Sequence, residues 1–548
     1  MPTITINGKV CEFEKGQMIL QVALDNGIEI PHYCYHPALS ISASCRICLG
    51  EIWAPNPRND NKLEPIPKLM PTCQTAAADG QVVYTNSPKA IANQKAVMEY
   101  LLINHPIDCP VCDQAGECYL QDYSYQYGRS EVRFQEQKIV QPKKDIGEHI
   151  LLYSDRCIMC NRCVNFCREI PGTAEIMVEG RGAMEQIDIF PGRPVNNELS
   201  GCVIDVCPVG AMLDKDFLFQ QRVWFLGKAA SIDGLTCSGD NISIEHNDGV
   251  VYRIKPRTNL DINRYWITDE LRYGWKFIHS ENRLTMPRVK GEDPYRPIEA
   301  MAAYETAYAE ANERLGKAKH IALMVSPMLS CEDAYLLAKY ISKFEAEVTY
   351  AIGPVPTRGE DKTFLDGYKM YAEKAPNARG VKRVLAKFGP VLDYDALLKQ
   401  LKGDAIDAAV ITGNYPADWV SDDLLAADGE VGKRFVLLID TLHNTLVDRA
   451  DVVIPGATWA EKAGTFENVD SVLQAFERAI SPIDFCKSEA QIALDLAAAR
   501  NGESPLAYDA AAARREMAAD HGLGEFLTDV RVPEAAEKVE ADMQYVEL

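Results

Sequence analysis

Residues 34–48 read CYHPALSISASCRIC, and this stretch decides how the first part of the chain must be built. Cys34, Cys45 and Cys48 share one short loop, and Cys73 follows farther on. Three thiols from one loop and a fourth from a distance can close a cage around a small inorganic group. A zinc site more often offers two short knuckles, and this group has one tight pair. Upstream, Thr3-Ile4-Thr5-Ile6 alternates as a strand, Asn7-Gly8 is a hairpin turn, and Val10 to Phe13 reads as the returning strand. Met18 to Asn26 has helical apolar spacing at Ile19, Val22 and Ala23, and Gly27 stops it. A hairpin and a helix therefore lead into the cysteine loop.

The chain has 17 cysteines, and 13 of them lie from Cys34 to Cys207. The spacing C-x2-C occurs four times, at Cys45/Cys48, Cys109/Cys112, Cys157/Cys160 and Cys160/Cys163, where chance placement gives about half a pair. A disulfide framework fits poorly, because such frameworks belong to small secreted chains and the first forty residues carry no export signal or transit peptide. The pattern C-x10-C-x2-C followed by a remote cysteine differs from the plant-type ferredoxin signature only in its first gap. It points to a [2Fe–2S] cluster held by Cys34, Cys45, Cys48 and Cys73.

A second group follows an apolar stripe of Ile91, Met98, Leu101 and Leu102 that ends at His105-Pro106. Residues 105–118 read HPIDCPVCDQAGEC, which places His105 four residues ahead of Cys109, with Cys112 and Cys118 beyond. A histidine at a helix end is ordinarily a cap or a surface residue, but here three cysteines lack a fourth partner. Imidazole in place of one thiolate makes a [4Fe–4S] cluster less negative and eases electron entry. For this group alone, zinc on three cysteines and a histidine stays open. The third group is DRCIMCNRC, residues 155–163, with Cys207-Pro208 farther on. Cysteines at steps of three with a distant Cys-Pro match the tetranuclear ferredoxin pattern, so Cys157, Cys160, Cys163 and Cys207 are the expected ligands. Cys167 precedes Arg168 rather than proline, and it reads with Cys202 as a buried free thiol.

The remainder narrows the function classes. A formal charge of -22 argues against nucleic acid. No apolar run reaches the roughly 18 residues that a bilayer span needs. There is no dinucleotide or triphosphate glycine loop, nucleophile elbow or H-E-x-x-H motif. Iron–sulfur clusters pass single electrons and leave two-electron chemistry to a partner, so these residues read as an electron wire.

The ordered set Cys34/Cys45/Cys48/Cys73, HPIDCPVCDQAGEC, DRCIMCNRC and LSGCVIDVCPVGAMLDKDF (199–217) resembles the large iron–sulfur subunits of respiratory complex I, the 75 kDa family. The resemblance is strong to about residue 290. It implies one [2Fe–2S] and two [4Fe–4S] clusters and a partner subunit that oxidises NADH at FMN. Electrons would leave toward quinone through another iron–sulfur subunit. The implied setting is the peripheral arm of proton-translocating NADH:quinone oxidoreductase, on the cytoplasmic side of a bacterial inner membrane and without a span of its own. Related subunits of soluble NAD-linked hydrogenases and formate dehydrogenases are the alternative. Many relatives carry four more cluster ligands downstream; aligned on Asn241-Ile242-Ser243, these positions hold Asp233, Thr236, Asp240 and Thr268, with Cys237 one place out of register. A fourth cluster is therefore not expected.

From about residue 225 the chain is similar, more weakly, to molybdopterin oxidoreductases. Apolar runs at 320–327, 347–354, 408–416, 434–441 and 450–458 alternate with helical stretches, as in parallel α/β layers. The Gly413-Asn414-Tyr415-Pro416 loop is the candidate pterin contact. The expectation is a scaffold that holds no molybdenum. The implied fold is multidomain α/β. Its parts are a plant-type ferredoxin-like β-grasp domain (1–85), a [4Fe–4S] segment with one histidine and three cysteine ligands (86–145), a bacterial ferredoxin-like [4Fe–4S] segment (146–224), a degenerate molybdopterin-oxidoreductase-like α/β domain (225–490) and an acidic, Ala-rich, solvated tail (491–548).

Overall fold

The computed structural model describes residues 1–290, 300–428 and 434–533. The chain is mixed α/β and divides into two compact units, residues 1–226 with 364–367, and residues 227–363 with 368 onward.

The first unit begins with the hairpin that the sequence demands. Strands Thr3–Ile6 and Lys9–Glu12 pair antiparallel, joined by Asn7 and Gly8 at φ 51° and 88°. Two successive left-handed residues match the twist of the flanking strands, which is why Asn-Gly is favoured there. Ile4 and Ile6 face inward onto the helix Ile19–Asp25, which buries Ile19, Leu20, Val22 and Ala23. Thr3–Ile6 also pairs in parallel with Val82–Tyr84, which pairs in turn with Leu49–Asn56. The cysteine loop thus leaves this small core and returns to it.

Ser87 caps the helix Pro88–Leu102 by accepting a hydrogen bond from the Ala90 amide at 3.3 Å, with Pro88 at the first helical position. Its buried face is Ala90, Gln94, Val97 and Met98. The expected stripe is corrected at Ile91, which is 40% exposed; the face turns around Met98 and leaves Ile91 one position off it. Farther on, Lys143–Asp145, Ile150–Tyr153 and Met212–Asp214 form a three-stranded antiparallel sheet. The short helices Arg162–Glu169 and Cys202–Val206 complete the unit.

The second unit carries a seven-stranded sheet in the order Arg288–Val289, Val452–Pro455, Phe435–Asp440, Ala408–Thr412, His320–Val325, Glu347–Ile352 and Val391–Leu392. All pairings are parallel except the first. Both faces are covered, as continuous apolar runs require. Ile321, Leu323 and Val325 point into one core, and Ala322 and Met324 into the other.

The segment expected as a solvated tail is corrected over its described part. Helix Glu489–Asn501 buries Ile492, Ala493 and Leu496 in the larger core, and Ala510–His521 adds Ala513 and Met517. The acids misled the reading because the apolar positions of the first helix are mostly alanine, which packs closely without a conspicuous pattern. Residues 534–548 of that expected tail lie outside the described residues.

Candidate iron–sulfur centres

The first group converges. Cys34 Sγ lies 3.4 Å from Cys45 Sγ, and Cys73 stands close enough to lower the thiols of both Cys34 and Cys48. Left-handed turns at Ala43 and Arg46, φ 48° and 58°, curl the loop around the thiols. Thr72 Oγ1 donates to the Cys48 carbonyl at 2.9 Å and ties the remote cysteine's segment to the loop. Cys34, Cys48 and Cys73 are buried.

In the second group, His105, Cys109, Cys112 and Cys118 line one small cavity with Gly210 and Arg156. Burial, and then the charges of Arg156 and Lys138, lower the His105 imidazole to about 4. The ring is therefore neutral at neutral pH, the form that can ligate a metal. Two arginines hold the loop. Arg156 donates to Asp108 at 2.7 and 3.1 Å, and Arg222 donates to the carbonyls of Cys112, at 2.9 Å, and Pro110. Gly210 is required here because a Cβ would stand 2.2 Å from Cys112 Sγ. Gly210→Ala is therefore expected to displace Cys112; on the three-cluster expectation the iron content then falls by about four of ten atoms, which iron and sulfide analysis checks.

The third group rings a cavity walled by Ile187, Val209, Ala211 and Met212. Cys157, Cys160, Cys163 and Cys207 all line it, and Cys167, buried in the helix Arg162–Glu169, does not. Met159 and Asn161 adopt φ 53° and 64° between the cysteines, so the backbone winds around the cavity. The Met159 amide lies 3.4 Å from Cys157 Sγ. Cys207 Sγ lies 3.0 Å from the Val209 carbonyl oxygen, and the backbone of Val209, Ala211 and Met212 opposes the rise that burial gives its thiol. Such contacts suit thiolates that hold a cluster. Among the described residues no three His, Cys, Asp or Glu side chains converge tightly enough to hold a single metal ion. The second and third groups instead surround cavities.

The three groups are neighbours. Cys34, Cys118 and Cys160 belong to one apolar cluster with Tyr33, Met98 and Tyr123. Burial, and then Cys207, push Cys160 up to about 12, with Cys34 contributing. Cys118 is raised to about 11 by burial, with Cys112 and Cys207 adding. One residue of each group thus belongs to the same apolar cluster.

The downstream positions carry different chemistry. Asp233 is buried and accepts hydrogen bonds from the amides of Leu235 (2.7 Å) and Thr236 (3.0 Å) and from the hydroxyls of Thr236 and Ser238. Asp240 accepts from the Tyr368 hydroxyl, and burial, then Asp233, raise it to about 8. Thr268 caps the helix Asp269–Tyr273. These side chains are engaged with protein partners.

The strand ends of the second unit are also filled. The order turns at His320–Val325, between Glu347–Ile352 and Ala408–Thr412, where ligands of open α/β sheets bind. There Asn414 donates to the Ala457 carbonyl at 2.7 Å and to Glu489 at 2.9 Å. A Cβ on Gly413 would meet Asp440 at 2.1 Å. Buried Lys462 is paired with Asp333 at 2.9 Å and with Glu489.

Comparison with known families follows the same order along the chain. Residues 1–88 match a 2Fe-2S iron-sulfur cluster binding domain, and 94–133 match the NADH-ubiquinone oxidoreductase-G iron-sulfur binding region. Residues 147–213 match the ferredoxin-like domain of NADH-quinone oxidoreductase subunit 3. Residues 226–276 match the NDSU1/NuoG-like 4Fe-4S domain, and 376–499 match molybdopterin oxidoreductase. The chain is 40% identical over 319 residues to the NADH-ubiquinone oxidoreductase 78 kDa subunit of Neurospora crassa, covering 57% of this chain and 41% of that one. Identity to the Candida albicans 78 kDa subunit is 36% over 349 residues, covering 63% and 46%. With the NADH-ubiquinone oxidoreductase 75 kDa subunit of Reclinomonas americana it is 35% over 356 residues, covering 65% and 50%. The chain spans about half the length of these relatives. A solved NAD+-reducing [NiFe]-hydrogenase chain aligns with 40% of this chain and 91% of its own at 25% identity, but its TM-score of 0.35 decides nothing.

The modules and their cysteine groups define an iron–sulfur protein with ferredoxin-type domains ahead of a molybdopterin-oxidoreductase-like domain. Within that class, the chain is similar to the 75 and 78 kDa subunits of NADH-ubiquinone oxidoreductase.

Proposed function

We propose that the chain relays single electrons from an NADH-oxidising flavin subunit toward quinone, as the iron–sulfur subunit of a complex I peripheral arm. The supporting observation is that residues of all three cysteine groups, Cys34, Cys118 and Cys160, share one apolar cluster. Cys34, Cys45, Cys48 and Cys73 would hold a [2Fe–2S] cluster. His105, Cys109, Cys112 and Cys118 would hold one [4Fe–4S] cluster, and Cys157, Cys160, Cys163 and Cys207 the other. When bound, these groups supply one-electron carriers.

The protein supplies the rest. Tyr33, Met98, Leu120 and Tyr123 exclude water from the space shared by the groups. Burial keeps His105 unprotonated. Arg156 and Arg222 fix the loop that presents Cys109 and Cys112. Electrons would enter at the Cys34 group, pass the Cys157 group and leave from the His105 group. Asp233, Thr236, Asp240 and Thr268 provide no thiolate, so residues 226–276 are proposed to hold no cluster. The internally bonded Asn414 and Lys462 fit a second unit that works as a scaffold without molybdenum. Among the described residues no helix is long and apolar enough to cross a membrane. The partners proposed are the flavin subunit and a quinone-side iron–sulfur subunit, at the cytoplasmic face of a bacterial inner membrane.

The test is metal and sulfide content with low-temperature EPR on the anaerobically purified protein. About ten irons per chain, one binuclear and two tetranuclear signals, and no zinc or molybdenum are expected. About fourteen irons would mean that Cys167, Cys202 and Cys237 serve a further cluster, and stoichiometric zinc would end the electron-transfer reading.

A further inference from the structure

The third cysteine motif contains two arginines, each immediately before a cysteine: Arg156 before Cys157 and Arg162 before Cys163. Both are buried, 2% and 7% exposed, yet their surroundings differ. Arg156 is satisfied. It forms two hydrogen bonds to Asp108, lies over the Tyr153 ring with 4.0 Å to the centroid, and points a third nitrogen at the Gly210 carbonyl. Its charge is cancelled locally by a carboxylate.

Arg162 is not satisfied. Its Nε has no hydrogen-bond partner, and it forms no ion pair among the described residues. It also occupies the first position of the helix Arg162–Glu169, the end where the helix dipole disfavours a cation. A guanidinium that is buried, unpaired and set at the positive end of a helix is doubly unfavourable unless an anion shares its space. Arg162 lies between Cys160 and Cys163 in the third motif, and the helix it opens is tied to the Cys34 loop: Asn165 Nδ2 donates to the Ser40 carbonyl at 3.2 Å and to Ser42 Oγ at 3.0 Å, and the Ser40 amide donates to Glu169 at 2.8 Å. Among the described residues no carboxylate is paired with it there. The negative charge that these two groups bring to its side is that of the cysteine thiolates and whatever they hold.

We propose that Arg162 is the built-in counter-charge of the Cys34 and Cys157 groups, a positioning residue that makes both easier to reduce than they would otherwise be, while the His105 group, whose own arginine is neutralised by Asp108, receives no such help. The proposal rests on the three-cluster reading above. Accepting one electron adds one negative charge at a site, with no bond made and no proton taken up. A fixed cation in a low-dielectric interior favours that added charge and so raises the reduction potential. Arg162 therefore tilts the first part of the relay toward holding electrons.

The test is a potentiometric EPR titration of the whole protein, wild type beside Arg162→Gln and Arg162→Lys, with iron and sulfide measured on each. In R162Q the reduction equilibria of the binuclear signal and of the Cys157 signal are expected to shift at least tenfold toward the oxidised form. This is about 59 mV lower for one electron. The His105 signal moves several-fold less, the iron content is unchanged, and R162K restores most of the shift. Unchanged potentials in R162Q at full iron content would overturn the proposal. So would an equal shift of all three signals, or loss of iron in both variants, since either marks a packing role rather than a charge role. A wild-type protein without iron would instead refute the cluster reading itself, which separates the two failures.

Discussion

Replacing Cys160 by alanine is expected to remove about four irons per chain and to stop electron passage between the Cys34 and His105 groups. Cys160 lines the cavity of the third group and shares one apolar cluster with Cys34 and Cys118. The nearby Cys167 cannot take its place, because that thiol is buried outside the lining. The binuclear signal and the His105 signal should persist in EPR, since their residues belong to other loops. NADH-dependent reduction, followed by rapid freezing with the proposed flavin partner present, should then fill the first group and leave the His105 group oxidised. Cys167→Ala is the matched control. It should keep all the iron and cost only about 1 kcal/mol of stability through a small cavity. Equal iron loss in both variants would show that the fourth ligand is misassigned.

The second large effect belongs to the other unit. Lys462→Met is expected to cost about 3–5 kcal/mol of unfolding free energy, because it leaves Asp333 and Glu489 buried together without their cation. Lys462 is 3% exposed, and both carboxylates are fully buried. Burial already pushes Glu489 upward against the pull of Lys462, and removing the lysine raises it further. A carboxylate in the unfolded chain titrates near about 4. Between that value and the raised folded value, the folded state binds more protons than the unfolded state, so stability rises as pH falls through this window. The deficit in K462M should therefore be largest near about pH 8 and shrink on acidification toward about pH 5. Denaturant unfolding at the two pH values measures it. A deficit independent of pH would mean that lost packing, and not unpaired charge, is the cause.

These two variants also separate the functions of the two units. The first is expected to change iron content and electron passage with little effect on the α/β core. The second is expected to weaken that core while the cysteine loops keep their ligands. The crevice at the strand ends explains the division. Where an α/β sheet of this order could receive a ligand, Asn414, Asp440, Lys462 and Glu489 bond to one another's neighbours and to the backbone. That arrangement leaves these side chains engaged with one another, which fits the proposed scaffold without molybdenum.

What the sequence determined by itself is the part written in short, local spacing. Asn7-Gly8 dictates a hairpin because few residue pairs accept two left-handed positions. The cysteine steps name their groups because neighbouring ligands on one loop must lie close in sequence. The five apolar runs of the second unit are legible because a parallel strand covered on both faces has no polar side to interrupt it. Tertiary structure alone decided the rest. It gathered Cys34, Cys118 and Cys160 into one apolar cluster, and it paired Arg156 with Asp108 while leaving the Arg162 Nε without a partner. It buried helix Glu489–Asn501 despite its acids, by setting Glu489 beside Lys462 and Asp495 beside Lys487. Composition counts charges without their partners. The cost of a buried charge depends on what stands within a few ångströms of it, and that neighbour is brought from far along the chain only when the protein folds.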